Sequence, residues 1–401
     1  MRKGWEIKIL SEACKVFADG DWIESKDQSS EGIRLIQTGN IGFGYYKDKV
    51  DKSRFVSEET FKKLICTEIK AGDLLVSRLP DPVGKSCIIP ETNTKMITGV
   101  DCTIIRPKDF LLSEFLCYYQ MSDKYLKDVQ IGVSGATRQR ISRKNLGQIK
   151  IPLPPLPEQQ EIVSILDDTF ESIECVKSNA EQNIKNAKEL FESYLNGIFE
   201  NLNLEEMTLG EVCNFIQGIQ RDVKLQSENK KENQVRFLRI IDFTQGNEQP
   251  RYINNPGEKY ILESNDISLV RYGASTGFVC RGLEGALANN LFRVIPKSNK
   301  MITNDFLFVY LTAPIFQKVI KESMNGAAMP AISFGLIKDI PFPKISIKEQ
   351  QTIVLKLDAI SAETKRLESL YQQKLNDLEE LKKSILQKAF NGELKTSKIS
   401  A

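Results

Sequence analysis

The chain has 401 residues, 41% of them hydrophobic and 27% charged, a composition that suits a soluble globular protein with room for two to three domains. Histidine is absent, which excludes Ser-His and Cys-His nucleophilic catalysis, histidine acid–base chemistry and the usual zinc sites. The formal net charge of +2 excludes little, but its distribution is uneven: residues 129–157 hold no Asp or Glu while carrying Arg138, Arg140, Arg143, Lys144 and Lys150.

No apolar run is long enough for a transmembrane helix, and the charged start Met1-Arg2-Lys3-Gly4-Trp5-Glu6 lacks the apolar core of a secretion signal. The eight cysteines are scattered without a Cys-x-x-Cys pair, so reduced thiols in the cytoplasm are expected, with no metal.

In chain order, residues 1–154 read as an α+β globular domain. Short β-rich runs at Asp73–Ser77 and Cys102–Ile105 are followed by a helix over Leu112–Met121. Asp81-Pro82-Val83-Gly84-Lys85-Ser86 ends like a phosphate-binding loop, but Leu79 stands where that motif needs its first glycine. Near the end of the domain, Gly135-Ala136-Thr137-Arg138-Gln139-Arg140 forms a turn-prone loop carrying Arg and Gln, the side chains that make bidentate contacts with guanine and adenine. Prolines 152, 154, 155 and 157 then close the domain and open a long helix over 155–200, expected to end at Asn196-Gly197. A second α+β domain follows over 201–343, with a strand at Ile267–Val270 and a helix at Asp305–Thr312. A second long helix occupies 344–401 and is expected to end at Asn391-Gly392.

This order is a duplication. Glu158-Gln159-Gln160 before Ile162-Val163 recurs as Glu349-Gln350-Gln351 before Ile353-Val354, an offset of 191 residues. Ile151-Pro152-Leu153-Pro154 matches Ile340-Pro341-Phe342-Pro343, and Gly135-Ala136 matches Gly326-Ala327. The ends of the copies agree and their middles diverge.

The long helices carry a heptad seam. It runs through Ile162, Leu166, Thr169, Ile173, Val176, Ala180, Asn183, Ala187, Leu190 and Tyr194 in the first copy. The second uses Ile353, Leu357, Ile360, Thr364, Leu367, Tyr371, Lys374, Leu378, Leu381 and Ile385. Asn183 and Lys374 are its polar members, residues of a kind that fixes register at some cost in stability. Two copies packed about a pseudo-two-fold axis would make the helices antiparallel, a spacer roughly 48 Å long between two separated heads.

No Gly-rich cofactor loop, metal-binding carboxylate cluster or adenine-methyltransferase signature is recognisable, so no catalytic residue and no cofactor is assigned. The candidates for DNA contact are Arg34, Arg78, Lys85, Arg138, Gln139, Arg140, Arg143 and Lys144 in the first head. In the second head they are Arg236, Arg239, Arg271 and Arg281, with Arg251 and Arg293 behind them, because its Gly326 loop lacks these donors.

The stretch Ile151-Pro-Leu-Pro-Pro-Leu-Pro-Glu-Gln-Gln-Glu-Ile-Val-Ser-Ile-Leu-Asp167 resembles the central conserved region of type I restriction–modification specificity subunits. Leu381-Lys-Lys-Ser-Ile-Leu-Gln-Lys-Ala-Phe-Asn-Gly-Glu-Leu394 resembles their C-terminal conserved region, and segments 236–242 and 265–271 resemble their target-recognition domains. The first loop departs from that pattern in having Gln139 where the second copy keeps Pro330.

The resemblance implies a non-catalytic subunit whose two heads each read half of a split, asymmetric target in double-stranded DNA. It also implies two modification subunits docked on the helices, restriction subunits in some systems, and S-adenosylmethionine, ATP and Mg held by those partners. A spacer of this length is compatible with half-sites about 34 Å apart. The alternative is a coiled-coil scaffold with two protein-binding domains and no DNA contact, which the basic, acid-free stretch 129–157 disfavours.

Overall fold

The computed structural model describes residues 2, 4–135, 139–202, 207–246, 248–324 and 331–394. It divides into two compact units, one of residues 1–180 with 372–401 and one of residues 181–371. Each unit combines an α+β head with parts of both long helices, Leu156–Glu200 and Ile347–Asn391.

The first head is built on a four-stranded antiparallel sheet ordered Cys14–Asp19, Cys102–Pro107, Leu74–Ser77, Ser86–Ile88. All four residues of Leu74–Ser77 are buried, which suits the short apolar run that marks this strand in the sequence. A second sheet places Gln28–Ser29, Phe55–Val56, Ile33–Ile36 and Met96–Thr98 side by side, the last two strands parallel. Helices Ser113–Gln120 and Asp123–Ile131 cover the first sheet, and Ser122 caps the second of them through Tyr125 N–H. Glu6–Ile9 pairs antiparallel with Lys150–Leu153, which ties the start of the head to the segment that enters the long helix. Pro152 lies within that two-stranded ribbon, where both strands are edges and a missing N–H is tolerated.

The second head repeats this plan. Its antiparallel sheet runs Cys213–Gln217, Leu291–Pro296, Ile267–Val270, Val279–Cys280, and its mixed sheet again contains one parallel pair, Gln234–Leu238 with Gly285–Leu287. The correspondence extends to backbone packing. A Cβ on Gly20 would lie 2.3 Å from the Thr98 carbonyl oxygen, and one on Gly218 would lie 2.2 Å from that of Ala288, so glycine alone fits both turns.

One glutamine binds each head to a long helix. Gln159 is fully buried; its Nε2 donates to Phe110 O at 2.9 Å and Pro154 O at 2.8 Å, and its Oε1 accepts from Leu112 N–H at 2.9 Å. Gln350 makes the equivalent bonds with Met301 O, Ile345 O and Thr303 N–H in the second unit. Tyr119 donates to Lys150 O at 3.1 Å, and Tyr310 donates likewise to Pro341 O. These side chains saturate backbone groups that burial would otherwise strand.

The far ends of the long helices also close the heads. Phe390 packs against Phe115 and Tyr119 in the first unit, and Phe199 against Phe306 and Tyr310 in the second. In the first unit the helices run antiparallel, with Glu174 paired to Lys382 at 3.4 Å and Lys177 to Glu379 at 3.0 Å. Ile162, Leu166, Ile173, Ala180 and Leu357 are buried along the seam, while Val176, Asn183, Ile353, Ile360, Leu367, Tyr371, Leu378 and Ile385 are half-buried.

Three features differ from the heptad reading. The first long helix continues past Asn196-Gly197 to Glu200, because burying Phe199 outweighs the modest cost of a helical glycine. Leu190, Tyr194 and Leu381 are exposed, the buried face having passed to Phe191, Leu195 and Phe199 in one helix and to Leu386 and Phe390 in the other. A straight helix drifts relative to a seven-residue repeat, and four-residue steps follow that drift onto the head. Lys374 is exposed rather than a buried polar seam residue; Leu375 beside it is half-buried, and the lysine keeps its charge in water. Asn391-Gly392 does end the second helix, with Gly392 in the left-handed region at φ +76°.

Candidate nucleic-acid interface

Most arginines singled out by sequence are used inside the heads. Arg34, on strand Ile33–Ile36, pairs with Asp48 at 3.0 Å, bonds the Ser53 hydroxyl and Lys49 O, and stacks over Phe55. Arg78 follows strand Leu74–Ser77; its side chain is 5% exposed, paired with Asp19 at 3.3 Å and bonded to Val100 O. Burial pulls this guanidinium below its ordinary value, and Asp19 opposes that shift. Neither arginine can reach a base edge without breaking the head.

Lys85 sits in a turn between strands Leu74–Ser77 and Ser86–Ile88 and donates to Asp81 O at 2.9 Å. Burial and the neighbouring Lys47 lower its ammonium. The turn's backbone groups are already committed: Gly84 N–H donates to Ser77 O, and Gly84 O accepts from Tyr125. A phosphate cradle leads into a helix, and this segment leads into a strand.

The basic stretch is partly neutralised from elsewhere in the chain. Arg140 pairs with Asp101 at 3.2 Å and donates to Val100 O at 3.4 Å. Gln139 is exposed, and Arg138 lies outside the described residues. Arg143 and Lys144 are exposed on a short helix, Arg143–Gly147, capped by Ser142, and neither has an ion-pair partner among the described residues.

In the second head Arg236 and Arg239 both clasp Asp242, whose carboxylate is fully buried, at 3.2 and 3.0 Å. Burial acts to raise the Asp242 carboxyl, but the hydrogen bonds from Arg239 and Arg236 prevail and hold it below the usual carboxylate value. Arg271 stacks over Phe334 and bonds Ile332 O, and Arg281 pairs with Asp305 and stacks over Phe308. Arg251 pairs with Glu228, and Arg293 with Asp266.

An open cleft in the first head, about 460 Å³, brings together residues that sequence reasoning missed. Trp22, Gln37, Thr38 and Arg54 line it together with Arg140. Trp22 is 68% exposed, and Arg54 is exposed with no side-chain partner among the described residues. Nothing in local periodicity marks these positions, because their availability depends on which carboxylates fold against the other arginines.

A family model for the type I restriction modification DNA specificity domain matches the chain twice, over residues 2–186 and 201–380. The chain belongs to this family. It is a specificity subunit, the non-catalytic component of a multisubunit type I system. The putative type I restriction enzyme MjaX specificity subunit of Methanocaldococcus jannaschii is 25% identical, over 98% of this chain and 94% of that one. The EcoKI specificity subunit of Escherichia coli is 23% identical, over 74% and 68%.

Among solved structures, one of complex assembly and conformational transition in a type I R-M system contains a chain with a TM-score of 0.79, 20% identity and coverage of 98% and 99%. The HsdS subunit from Thermoanaerobacter tengcongensis gives a TM-score of 0.67 at 21% identity, covering 98% of both chains. These two likenesses establish the fold: two α+β domains with long helices. The twofold match also makes the specificity subunit an internal duplication.

Proposed function

We propose that this specificity subunit reads a bipartite, asymmetric sequence in double-stranded DNA through the major groove, one half with each head. The long helices set the interval between the halves and dock two modification subunits. Those partners supply S-adenosylmethionine and adenine-N6 methyl transfer, and restriction subunits, where present, bring ATP- and Mg-dependent cleavage.

The observation that carries this reading is the pairing of a repeated frame with unlike surfaces. The anchoring glutamines, sheet orders and closing phenylalanines recur, whereas the exposed polar residues of the heads differ. Two readers of different half-sites need a shared frame and distinct contact residues. Exposed Gln139, Arg143 and Lys144 suit phosphate and base contact in the first head. Work in the cytoplasm fits eight free cysteines, seven of them buried, and the lack among described residues of a helix long and apolar enough to cross a membrane.

The test is DNA affinity of the purified complex with its modification subunits, measured against salt. Phosphate contacts make log affinity fall linearly with log salt. A salt-independent affinity, or none, would favour a protein scaffold instead.

A further inference from the structure

Four positions that line the first head's cleft have backbone equivalents in the second head, and the side chains they carry can be compared. Asp21 N–H donates to Thr98 O and Ile219 N–H to Leu287 O, both at 2.8 Å, which equates Trp22 with Gln220. Gln37 N–H donates to the Asn40 side chain and Arg239 N–H to that of Asp242, which equates Gln37 with Arg239. Arg34 faces Phe55 in one sheet and Arg236 faces Tyr252 in the other, which equates Arg54 with Arg251. Ile141 N–H donates to Arg78 O and Ile332 N–H to Arg271 O, which equates Arg140 with Ala331.

The backbone is therefore the same at four positions, while three of the four side chains differ between the heads. Packing does not demand the difference between Trp22 and Gln220, since both side chains are exposed. Arg54 is the shared residue, and its setting differs: its counterpart Arg251 is held by Glu228 at 2.9 Å, whereas Arg54 has no side-chain partner among the described residues.

We infer that the mouth of this cleft is the base-reading surface of the first head. Arg54 hydrogen-bonds a guanine edge, Trp22 makes apolar contact with a neighbouring base, and the buried Arg34 and Arg78 only support the frame. This assignment rests on the recognition function proposed above and deepens it. Arginine fits because its planar fork matches the two acceptors of guanine in the major groove, and a free guanidinium breaks no internal pair on binding. Tryptophan offers a large, rigid contact surface with little entropy to lose.

The experiment is methylome sequencing of cells expressing the full chain with its modification subunits, comparing wild type, Arg54→Ala, Trp22→Ala and, as a remote exposed cation, Lys124→Ala. Complex yield by size exclusion accompanies each variant. The expected result is a normal complex in every case. Arg54→Ala relaxes or changes one base of one half-site, with methylation of the original motif down roughly 5- to 100-fold. Trp22→Ala weakens methylation governed by the same half, while Lys124→Ala changes nothing.

Arg54→Ala and Trp22→Ala complexes that keep the wild-type motif and rate in both halves overturn the assignment while leaving the recognition function intact. A well-assembled wild-type complex that yields no split motif overturns the recognition function, and the assignment with it.

Discussion

The ring of Phe390, next to the last residue of the second long helix, meets the ring of Tyr119 edge-on at 5.3 Å inside the first head. The end of the chain's last helix is thus part of the core of its first domain. Phe390→Ala should cost about 3–5 kcal/mol, the usual range for removing a buried aromatic ring. Hydrogen exchange should rise in helix Ser113–Gln120 and in residues 372–391, with residues 207–342 little changed. Phe199→Ala should give the mirror result, loosening the second unit.

Gln159→Ala leaves the Leu112 N–H and the Phe110 and Pro154 carbonyls without their partner. Each stranded group costs about 1–3 kcal/mol when water cannot reach it. Chemical denaturation should therefore show a clear loss for Gln159→Ala, and a similar one for Gln350→Ala. A loss in one variant alone would mean that the two anchors are not equivalent.

Arg78→Ala removes the partner of Asp19 from a nearly closed site. The expected loss is about 1–3 kcal/mol, less than for a fully buried pair because Asp19 keeps some water. Melting temperature should fall while the recognised DNA motif stays unchanged. Arg54→Ala should do the reverse.

Seven cysteines are buried, and burial pushes the thiols of Cys14, Cys87, Cys102, Cys213 and Cys280 up to about 12 and those of Cys66 and Cys117 to about 11. The thiolate is the reactive form, so at pH 8 iodoacetamide should label the exposed Cys175 in the native protein. Mass spectrometry should find one adduct per native chain and eight after denaturation. Rapid labelling of several native thiols would contradict this burial.

The parts of the fold legible in sequence are those whose cause is local or repeated. Ile267–Val270 announces itself as a short apolar run between turn residues, and the paired Glu-Gln-Gln segments reveal the duplication. The ribbon of Glu6–Ile9 with Lys150–Leu153 was hidden, because its partners are distant in sequence and Pro152 argues against a strand. Phe199 and Phe390 were hidden by the heptad pattern, which follows helix against helix and not helix against head.

The candidate site was less legible still. Charge can be counted from sequence, but which arginine is neutralised is decided by long-range partners: Arg34 finds Asp48, Arg78 finds Asp19, and Arg54 finds none among the described residues.

In the proposed function each head reads one half of a split DNA target. The most direct measurement is the methylome of a cell expressing this subunit with its modification subunits, with and without replacement of one head. The expected result is a new N6-methyladenine mark at a two-part motif with an unread interval, in which replacing the first head changes one part and leaves the other intact. A continuous motif, or a stable complex that leaves no mark, would contradict it.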